Sequence, residues 1–309
     1  MIVEANKQRF INHNNYNIEK MKNDRFVPDT IGMLSMEFRR YFLSHIDRFQ
    51  EQRTINIVDV GPAHGAIGAC FFLMIINDIS LITAFDFLKK VKLCLIDPVG
   101  KVIDDNLKLN FPLQETIRLL HKELFDKKII ERALSDNEFK ALFHACEKLF
   151  SKATGEEMEI QYLNESKNFP VFFEMFDVSI CTFCLHHIHP DHKSQALKVI
   201  MDLLKPKGFF AFADEWFGEA YFERFLLGHN HMQDPIPFEF PESPEDLLQR
   251  LEQKISLIKV VYDEKEAFML SGHKRVFEDK SKTGHFPAME DVNKFNIWIE
   301  IKKIWKKKK

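Results

Sequence analysis

Three stretches of this 309-residue chain predict an α/β fold, a mostly parallel sheet with helices on both faces. Residues 55–60, Ile-Asn-Ile-Val-Asp-Val, are an almost continuous β-branched run that breaks into Gly61-Pro-Ala-His-Gly65 and turns helical from Ala66. Residues 91–96 form a second apolar run, stopped by Asp97-Pro98, and residues 176–184 form a third, followed by a helical pattern and the apolar residues 209–213. Strands covered on both faces lose the in-out alternation and read as continuous apolar runs. Strands that alternate with helices point to parallel pairing.

In chain order, residues 1–30 are polar and rich in Asn and Lys, a loose arm. Asp29 or Thr30 can cap a helix to about residue 49, since Ile31, Leu34, Phe38, Phe42 and Ile46 recur at helical steps. This helix would lie across the main domain. Gly61 and Gly65 let the backbone turn sharply after the first strand and approach a ligand closely. A helix follows over residues 66–77, extended or succeeded by another as far as residue 89.

The second strand places Asp97 at its end, where a carboxylate can accept hydrogen bonds from both hydroxyls of a ribose. If residues 79–85 were that strand instead, Asp86 would take the role at a more usual spacing from Gly65. Pro98 and the helical pattern after it favour Asp97.

Residues 104–154 carry no strand signal. Leu113, Ile117, Leu120 and Leu124, then Phe139, Leu142, Phe143 and Leu149, predict helices, and the length predicts a helical insertion at about residues 100–157. Gly155 ends it, and residues 158–163 read as a third strand leading into Asn164-Glu165-Ser166. In the strand 176–184, Cys181 and Cys184 stand three apart, so their side chains should point to opposite faces. That argues against a shared metal or a disulfide.

A helix over residues 193–204, with Ala196, Leu197, Ile200, Met201 and Leu204 on one stripe, closes in Leu204-Lys-Pro-Lys-Gly208 before the strand 209–213 and Asp214-Glu215. Trp216, Phe217, Tyr221 and Phe222 pack on the sheet or line an acceptor pocket. Residues 234–244 are a Pro-rich loop, Ser243 to Asp246 begin a helix to about residue 254, and residues 257–262 and 267–270 with Val276 suggest a final antiparallel pair. Residues 295–305 are short and amphipathic.

Composition is that of an ordinary globular protein, 45% apolar and 29% charged, with 31 phenylalanines feeding a core. A net charge of −3 argues against nucleic acid or an anionic membrane as partner. The exception is the cluster Lys302, Lys303 and Lys306 to Lys309, a solvated basic tail. Five cysteines without framework spacing fit a reducing compartment. With no signal pattern and no charge-free stretch of spanning length, the expected location is cytoplasmic.

Asp59, Gly61 and Gly65, in the pattern acid, spacer, glycine, three residues, glycine, resemble the first nucleotide-binding turn of the class I S-adenosylmethionine-dependent methyltransferases. Ala63 stands where that family often has another glycine. Leu185-His186-His187 and the turn at residues 204–208, with Lys207 replacing a glycine, resemble the family's fourth and fifth strand regions. The likeness covers about residues 55–214.

It implies a Rossmann-like, seven-stranded, mostly parallel sheet with an N-terminal helical lid and S-adenosylmethionine as cofactor. Asp59, Gly61, Pro62, Ala63 and Gly65 would form the cofactor turn, Asp97 and Pro98 the ribose contact, and Asn164 or Glu165 the adenine contact, with Thr182 at the rim. The implied domains are an arm and lid helix over residues 1–54, a methyltransferase domain over residues 55–277, and an extension with a basic tail over residues 278–309. The insertion would cap the acceptor site or form a homodimer surface. The implied reaction moves a methyl group to an oxygen, nitrogen or carbon nucleophile on a small molecule, with neutral His186 or His187 accepting its proton at the carboxyl end of a central strand.

A rival reading comes from His187, His189, Asp191 and His192, which match the His-x-His-x-Asp-His pattern of metallo-β-lactamase-like hydrolases. Such clustered imidazoles and carboxylates hold two zinc ions that generate hydroxide. Lys193-Ser194 then stand where glycines are common, and the glycine turn would be unexplained. A third reading keeps the Rossmann-like domain but assigns it only cofactor or partner binding. A dehydrogenase is disfavoured, because Gly61-x-Ala63 lacks the glycine that admits a pyrophosphate.

Overall fold

The computed structural model describes residues 26–62, 79–100, 102–104, 111–126, 132–182, 184–215, 244–251, 255–262 and 267–275, together with Lys128, Ile130 and Glu242. The chain divides into Met1–Arg275 and Val276–Lys309. The basic tail, the segment 295–305 and Val276 lie outside the described residues, as do residues 1–25 of the N-terminal arm, the helix 66–77 and the aromatics Trp216, Phe217, Tyr221 and Phe222; residues 26–30, expected in the loose arm, are helical.

The first helix, α1 (Phe26–Ser44), starts upstream of Asp29 and stops short of residue 49. Its break is local chemistry: Ser44 Oγ donates to the Tyr41 carbonyl at 2.8 Å and His45 Nδ1 lies 3.0 Å from the same oxygen. Side chains that take a helix carbonyl compete with the backbone ladder. A short α2 (Ile46–Glu51) follows. Leu34, Phe38 and Phe42 of α1 are buried, with Tyr41 stacked on Phe209 at 4.4 Å and Phe42 edge-on to Phe87 at 4.5 Å. From Leu34 onward α1 is therefore a core helix.

β1 (Ile55–Val60) forms as predicted. α3 (Leu81–Lys90) is capped by Ser80, whose Oγ accepts from the Thr83 amide at 3.2 Å. The alternative second strand is thereby excluded: Asp86 is an exposed helix residue paired with Lys89 at 3.0 Å. β2 (Val91–Asp97) keeps Asp97 at its end.

The insertion holds α4 (Phe111–Asp126) and α5 (Asp136–Phe150), the latter opened by a Ser135–Glu138 capping box. The predicted third strand at residues 158–163 is displaced. β3 is Thr154–Glu157, and Ile160–Glu165 is a 3₁₀ helix. Ile160 and Leu163, three apart, face the same side of such a helix and are buried beside Ala196 and Leu197. β3 itself is polar and mostly exposed at the sheet edge, so the backbone ladder to β2 holds it rather than side-chain burial. The sheet thus reaches into the stretch read as an insertion.

The short α6 (Phe169–Phe172) leads into the wholly buried β4 (Phe176–Thr182), which stops two residues before Cys184. A 3₁₀ turn (Leu185–His187) precedes α7 (Pro190–Leu203). β5 (Leu204–Glu215) starts at the anticipated turn and shifts register there, with Lys207 at φ 62°. α8 (Pro244–Leu251), β6 (Ile255–Tyr262) and β7 (Ala267–Lys274) complete the described elements.

The seven strands lie in the order β3-β2-β1-β4-β5-β7-β6; β7 runs antiparallel to both β5 and β6. This is the Rossmann-like, mostly parallel sheet closed by an antiparallel pair. Alternate strand residues feed two cores. Ile57, Leu95, Val178 and Ala211 meet Phe38, Phe87 and Leu142 on one face, while Val58, Cys94, Cys181 and Phe210 meet Leu163, Leu197 and Ile200 on the other. Strand order reverses between β1 and β4, so their carboxyl ends diverge into the crevice where such sheets bind ligands. Among the described residues no helix is long and apolar enough to cross a membrane.

Candidate functional site

Asp59 and Asp97 sit at that carboxyl edge on neighbouring strands. Asp59, second from the end of β1 and level with Leu95 and Ile180, is 1% exposed. Neither of its carboxylate oxygens has a hydrogen-bond partner among the described residues. Burial, with the charge of Asp97 adding to it, pushes its pKa up to about 8. An ordinary fold does not leave a carboxylate buried and unanswered.

Asp97 is tied down more firmly. Its Oδ1 accepts from the Val99 amide at 2.8 Å across Pro98, and its carbonyl accepts from the Met158 amide at 3.1 Å. Burial raises its pKa to about 7 against the lowering effect of the Val99 bond, and the charge of Glu157, its partner across the ladder, adds to the rise.

Gly61 turns the chain out of β1 at φ 66°, its amide donating to the Ile96 carbonyl at 2.8 Å. A Cβ there would lie 2.6 Å from Cys184 Sγ and 2.7 Å from Cys184 Cβ. Both the dihedral and the space demand glycine. Pro62 is buried beside it, whereas Ala63 and Gly65 lie outside the described residues. Thr182, buried, ends β4 on the opposite side of the crevice.

Cys181 and Cys184 do not face apart as anticipated. β4 ends before Cys184, the chain turns, and the two side chains are hydrogen-bonded to each other. Both are free thiols, as are Cys94 and Cys146.

Beyond them the 3₁₀ turn carries His186 into contact with Asp214 at the end of β5. The His186 amide donates to Asp214 Oδ2 at 3.0 Å, and His186 Nδ1 pairs with Asp214 Oδ1. Both side chains are buried, and the His187 ring lies 3.9 Å from that of His186. Lys193 of α7, 1% exposed, reaches toward Glu242 at 3.8 Å, and Glu242 is held by Arg250 at 2.7 and 3.1 Å. Burial lowers the Lys193 pKa, opposed by the charges of Glu242 and Asp214. His186, Lys193, Asp214 and Glu242 line one narrow cleft between Leu185, Leu247 and Phe268. The sequence signal for Lys193 is its position, which continues the apolar stripe of α7 one turn ahead of Ala196 and Leu197.

The remaining candidates are not brought together. Asn164 and Glu165 are exposed on the 3₁₀ helix, well past the end of β3. For the hydrolase pattern, His189 caps α7 by accepting from the Asp191 amide at 3.3 Å, and His192 is exposed beside Tyr162. Among the described residues no group of three or more His, Cys, Asp or Glu is placed to hold a metal. The histidine-rich phrase is a helix start, and the hydrolase reading has no support.

No protein-family model and no curated protein matches this sequence. Among solved structures, the N-methyltransferase NodS from Bradyrhizobium japonicum WM9, in complex with S-adenosyl-L-homocysteine, aligns at TM-score 0.46 and 11% identity over 87% of this chain and 98% of that one. A SAM-dependent methyltransferase from Methanosarcina mazei aligns at TM-score 0.41 and 17% identity over 73% of this chain and 95% of that one. An O-methyltransferase family protein from Burkholderia thailandensis aligns at 0.42 and 12%, over 79% of this chain and 59% of that one. Likeness at this level leaves function to be derived from the site. What the strand order and the site define is a Rossmann-like α/β chain with a carboxylate-lined ligand edge.

Proposed function

We propose that this chain binds S-adenosylmethionine at the carboxyl ends of β1 and β2 and transfers its methyl group to an oxygen, nitrogen or carbon nucleophile on a small molecule. The observation that carries the proposal is Asp59: a buried carboxylate with no partner among the described residues, beside a turn that only glycine can make. A cationic, amine-bearing ligand would answer that carboxylate, and a ribose would offer two hydroxyl donors to Asp97. The donor set therefore fits this cofactor.

When bound, S-adenosylmethionine supplies an electrophilic methyl group on a positively charged sulfur. Asp59, Gly61 and Pro62, with Ala63 and Gly65 completing the turn, would hold its amino-acid end. Asp97 and Pro98 would hold the ribose, and Thr182 would close the far wall. The adenine contact passes from Asn164 and Glu165 to Met158 and Glu159, which follow β3 directly. Rate enhancement would come chiefly from alignment and exclusion of water, with a histidine of the 3₁₀ turn taking the proton. A reducing, cytoplasmic setting suits the free thiols.

Calorimetric titration of the full chain with S-adenosylhomocysteine tests the proposal. Micromolar binding that is lost in Asp59→Asn is expected; no binding to the wild type overturns it. A screen of small molecules with methyl-labelled cofactor then separates an enzyme from a binding module.

A further inference from the structure

We infer that Cys181 and Cys184 form a redox-active dithiol, whose oxidation to a disulfide disturbs the turn at Gly61 and weakens the hold of the chain on S-adenosylmethionine. The weakening rests on the methyltransferase reading; formation of the disulfide does not. In an extended strand, residues three apart face opposite sides, and on that ground the sequence argues against a disulfide. β4 ends at Thr182, however, and the chain turns back toward the 3₁₀ turn, so that the two thiols are in hydrogen-bonding contact. The result is a Cys-x-x-Cys pair at the end of a parallel strand and ahead of a helix, a setting in which such pairs carry redox chemistry.

Both cysteines bear on the proposed cofactor turn. Cys181 stands opposite Val60 in the β1–β4 ladder, and Cys184 packs on the next residue, Gly61, where an added Cβ would lie 2.6 Å from Cys184 Sγ and 2.7 Å from Cys184 Cβ. Thr182, the far wall of the proposed site, lies inside the ring that a disulfide would close. The two thiols differ in access. Cys181 is 1% exposed in the core beside Val58 and Val60, whereas Cys184 is only partly buried at the edge of that core. The hydrogen bond to Cys184 and then burial raise the Cys181 pKa well above the ordinary thiol value, with the charges of Asp214 and Asp59 adding to the rise. An oxidant therefore enters at Cys184, and Cys181 resolves the intermediate.

The electrons balance with a small-molecule disulfide as oxidant. The Cys184 sulfur attacks one sulfur of glutathione disulfide, forming a mixed disulfide and releasing one glutathione. The Cys181 sulfur then attacks Cys184 Sγ, forming the Cys181–Cys184 bond and releasing the second glutathione. The two S–H protons leave on the two released thiols, and the oxidant takes up two electrons. Bonded sulfurs stand only about 2 Å apart, so closure draws Cys184 Sγ toward β4 and changes the surface on which Gly61 turns.

The test is a titration of the full-length protein from glutathione to glutathione disulfide, with free thiols blocked at each point, peptide mass mapping, and S-adenosylhomocysteine affinity measured on the same samples. The expected product is a peptide holding both Cys181 and Cys184 with two hydrogens fewer. Affinity should fall with its formation by about 5- to 150-fold. By linkage, saturating S-adenosylhomocysteine should raise the potential of the pair, by about 30 mV for each tenfold difference in affinity. In Cys184→Ser the affinity should no longer respond to glutathione disulfide. Two free thiols in glutathione disulfide alone, a mixed disulfide that Cys181 never resolves, or a bond to Cys70, Cys94 or Cys146 instead overturns the dithiol. Equal affinity of the reduced and oxidised protein overturns its effect on the cofactor. The wild-type map needs no variant, so the inference remains testable even if Cys184→Ser does not fold. Failure of S-adenosylhomocysteine to bind the reduced protein defeats the methyltransferase reading and the regulation with it, while the peptide map decides the dithiol chemistry by itself.

Discussion

Asp177 and Asp59 are buried aspartates on the two adjacent central strands, at opposite edges of one sheet. At the amino edge, Asp177 on β4 is 0% exposed and fully answered: Arg48 donates at 3.0 Å, Gln52 at 3.2 Å, the Asn56 amide at 3.0 Å and Lys205 at 2.8 Å. Those donors come from α2 and its C-terminal cap, from β1 and from β5, so one carboxylate ties three elements to a fourth. At the carboxyl edge, Asp59 on β1 is as deeply buried and has no hydrogen-bond partner among the described residues. At Asp177 the side chain is a fastener surrounded by donors; at Asp59, to which none of the described residues donates, the proposed function makes the same side chain a recognition group. Burial alone does not tell structure from function. The count of donors does.

The largest effect should come from breaking the satisfied edge. Asp177→Ala leaves a guanidinium, an ammonium and a backbone amide without their common acceptor. Removing one partner of a buried pair costs about 3–5 kcal/mol, and since Arg48 and Lys205 are 33% and 31% exposed, water recovers part of that and the loss should be about 3 kcal/mol. Urea unfolding measures it, and S-adenosylhomocysteine affinity of the molecules that still fold should be unchanged. A loss below about 1 kcal/mol would mean that four bonds do not make a fastener.

Next in size is Gly61→Ala at the other edge. The left-handed conformation costs an alanine about 1–2 kcal/mol, and the new Cβ would sit 2.7 Å from Cys184 Cβ, an atom that no side-chain rotation can move away. A total near 2–3 kcal/mol is expected together with loss of S-adenosylhomocysteine binding. Full stability with normal binding would detach this turn from the site.

The unsatisfied edge should also reveal itself through pH. Asp59 and Asp97 have folded pKa values near 8 and 7, both above the ordinary 3.8. The folded protein therefore holds protons that the unfolded chain releases. The stability that these two groups contribute is full below about pH 4, falls as pH rises through the window between the unfolded and folded values, and is gone above about pH 8. Each group contributes a slope of at most about 1.4 kcal/mol per pH unit. In Asp59→Asn the fall should be shallower and should end near pH 7, where Asp97 finishes titrating. Bound S-adenosylhomocysteine should flatten it further, because donors to the ionised forms favour them. Urea midpoints followed across this range decide the matter. Identical curves for wild type and variant would show that Asp59 is not the strained group.

How much of this was legible in the sequence follows from what holds each part. β1, β2, β4 and β5 announce themselves because burial on both faces leaves continuous apolar runs. β3, Thr-Gly-Glu-Glu, is an exposed edge strand held by its ladder, and its side chains carry no signal. The apolar residues after it, Ile160 and Leu163, imitate a strand while serving a 3₁₀ helix. Asp59 and Asp97 could be picked out because each ends an apolar run. The His186–Asp214 contact could not, since it joins residues 28 apart through a register that only the folded sheet defines. The apolar run continues through Cys184 and so predicts opposite faces for Cys181 and Cys184, whereas the strand ends at Thr182.

The smallest effect tests the backbone version of the same contrast. Each edge has a turn with positive φ, at Gly61 (66°) and at Lys207 (62°). At Gly61 there is no room for a side chain. Lys207 is exposed, at a place where the resembling family carries glycine, and its carbonyl lies 3.3 Å from His273 Nδ1. The left-handed cost of about 1 kcal/mol is thus accepted at the amino edge, where nothing crowds the side chain. Lys207→Gly removes that cost but adds about half as much unfolded-chain entropy, so a net gain near 0.5 kcal/mol is expected, with Lys207→Ala showing no gain. A loss in Lys207→Gly would mean that the lysine side chain itself holds the turn, and glycine would then be dispensable at the amino edge for a reason other than open space.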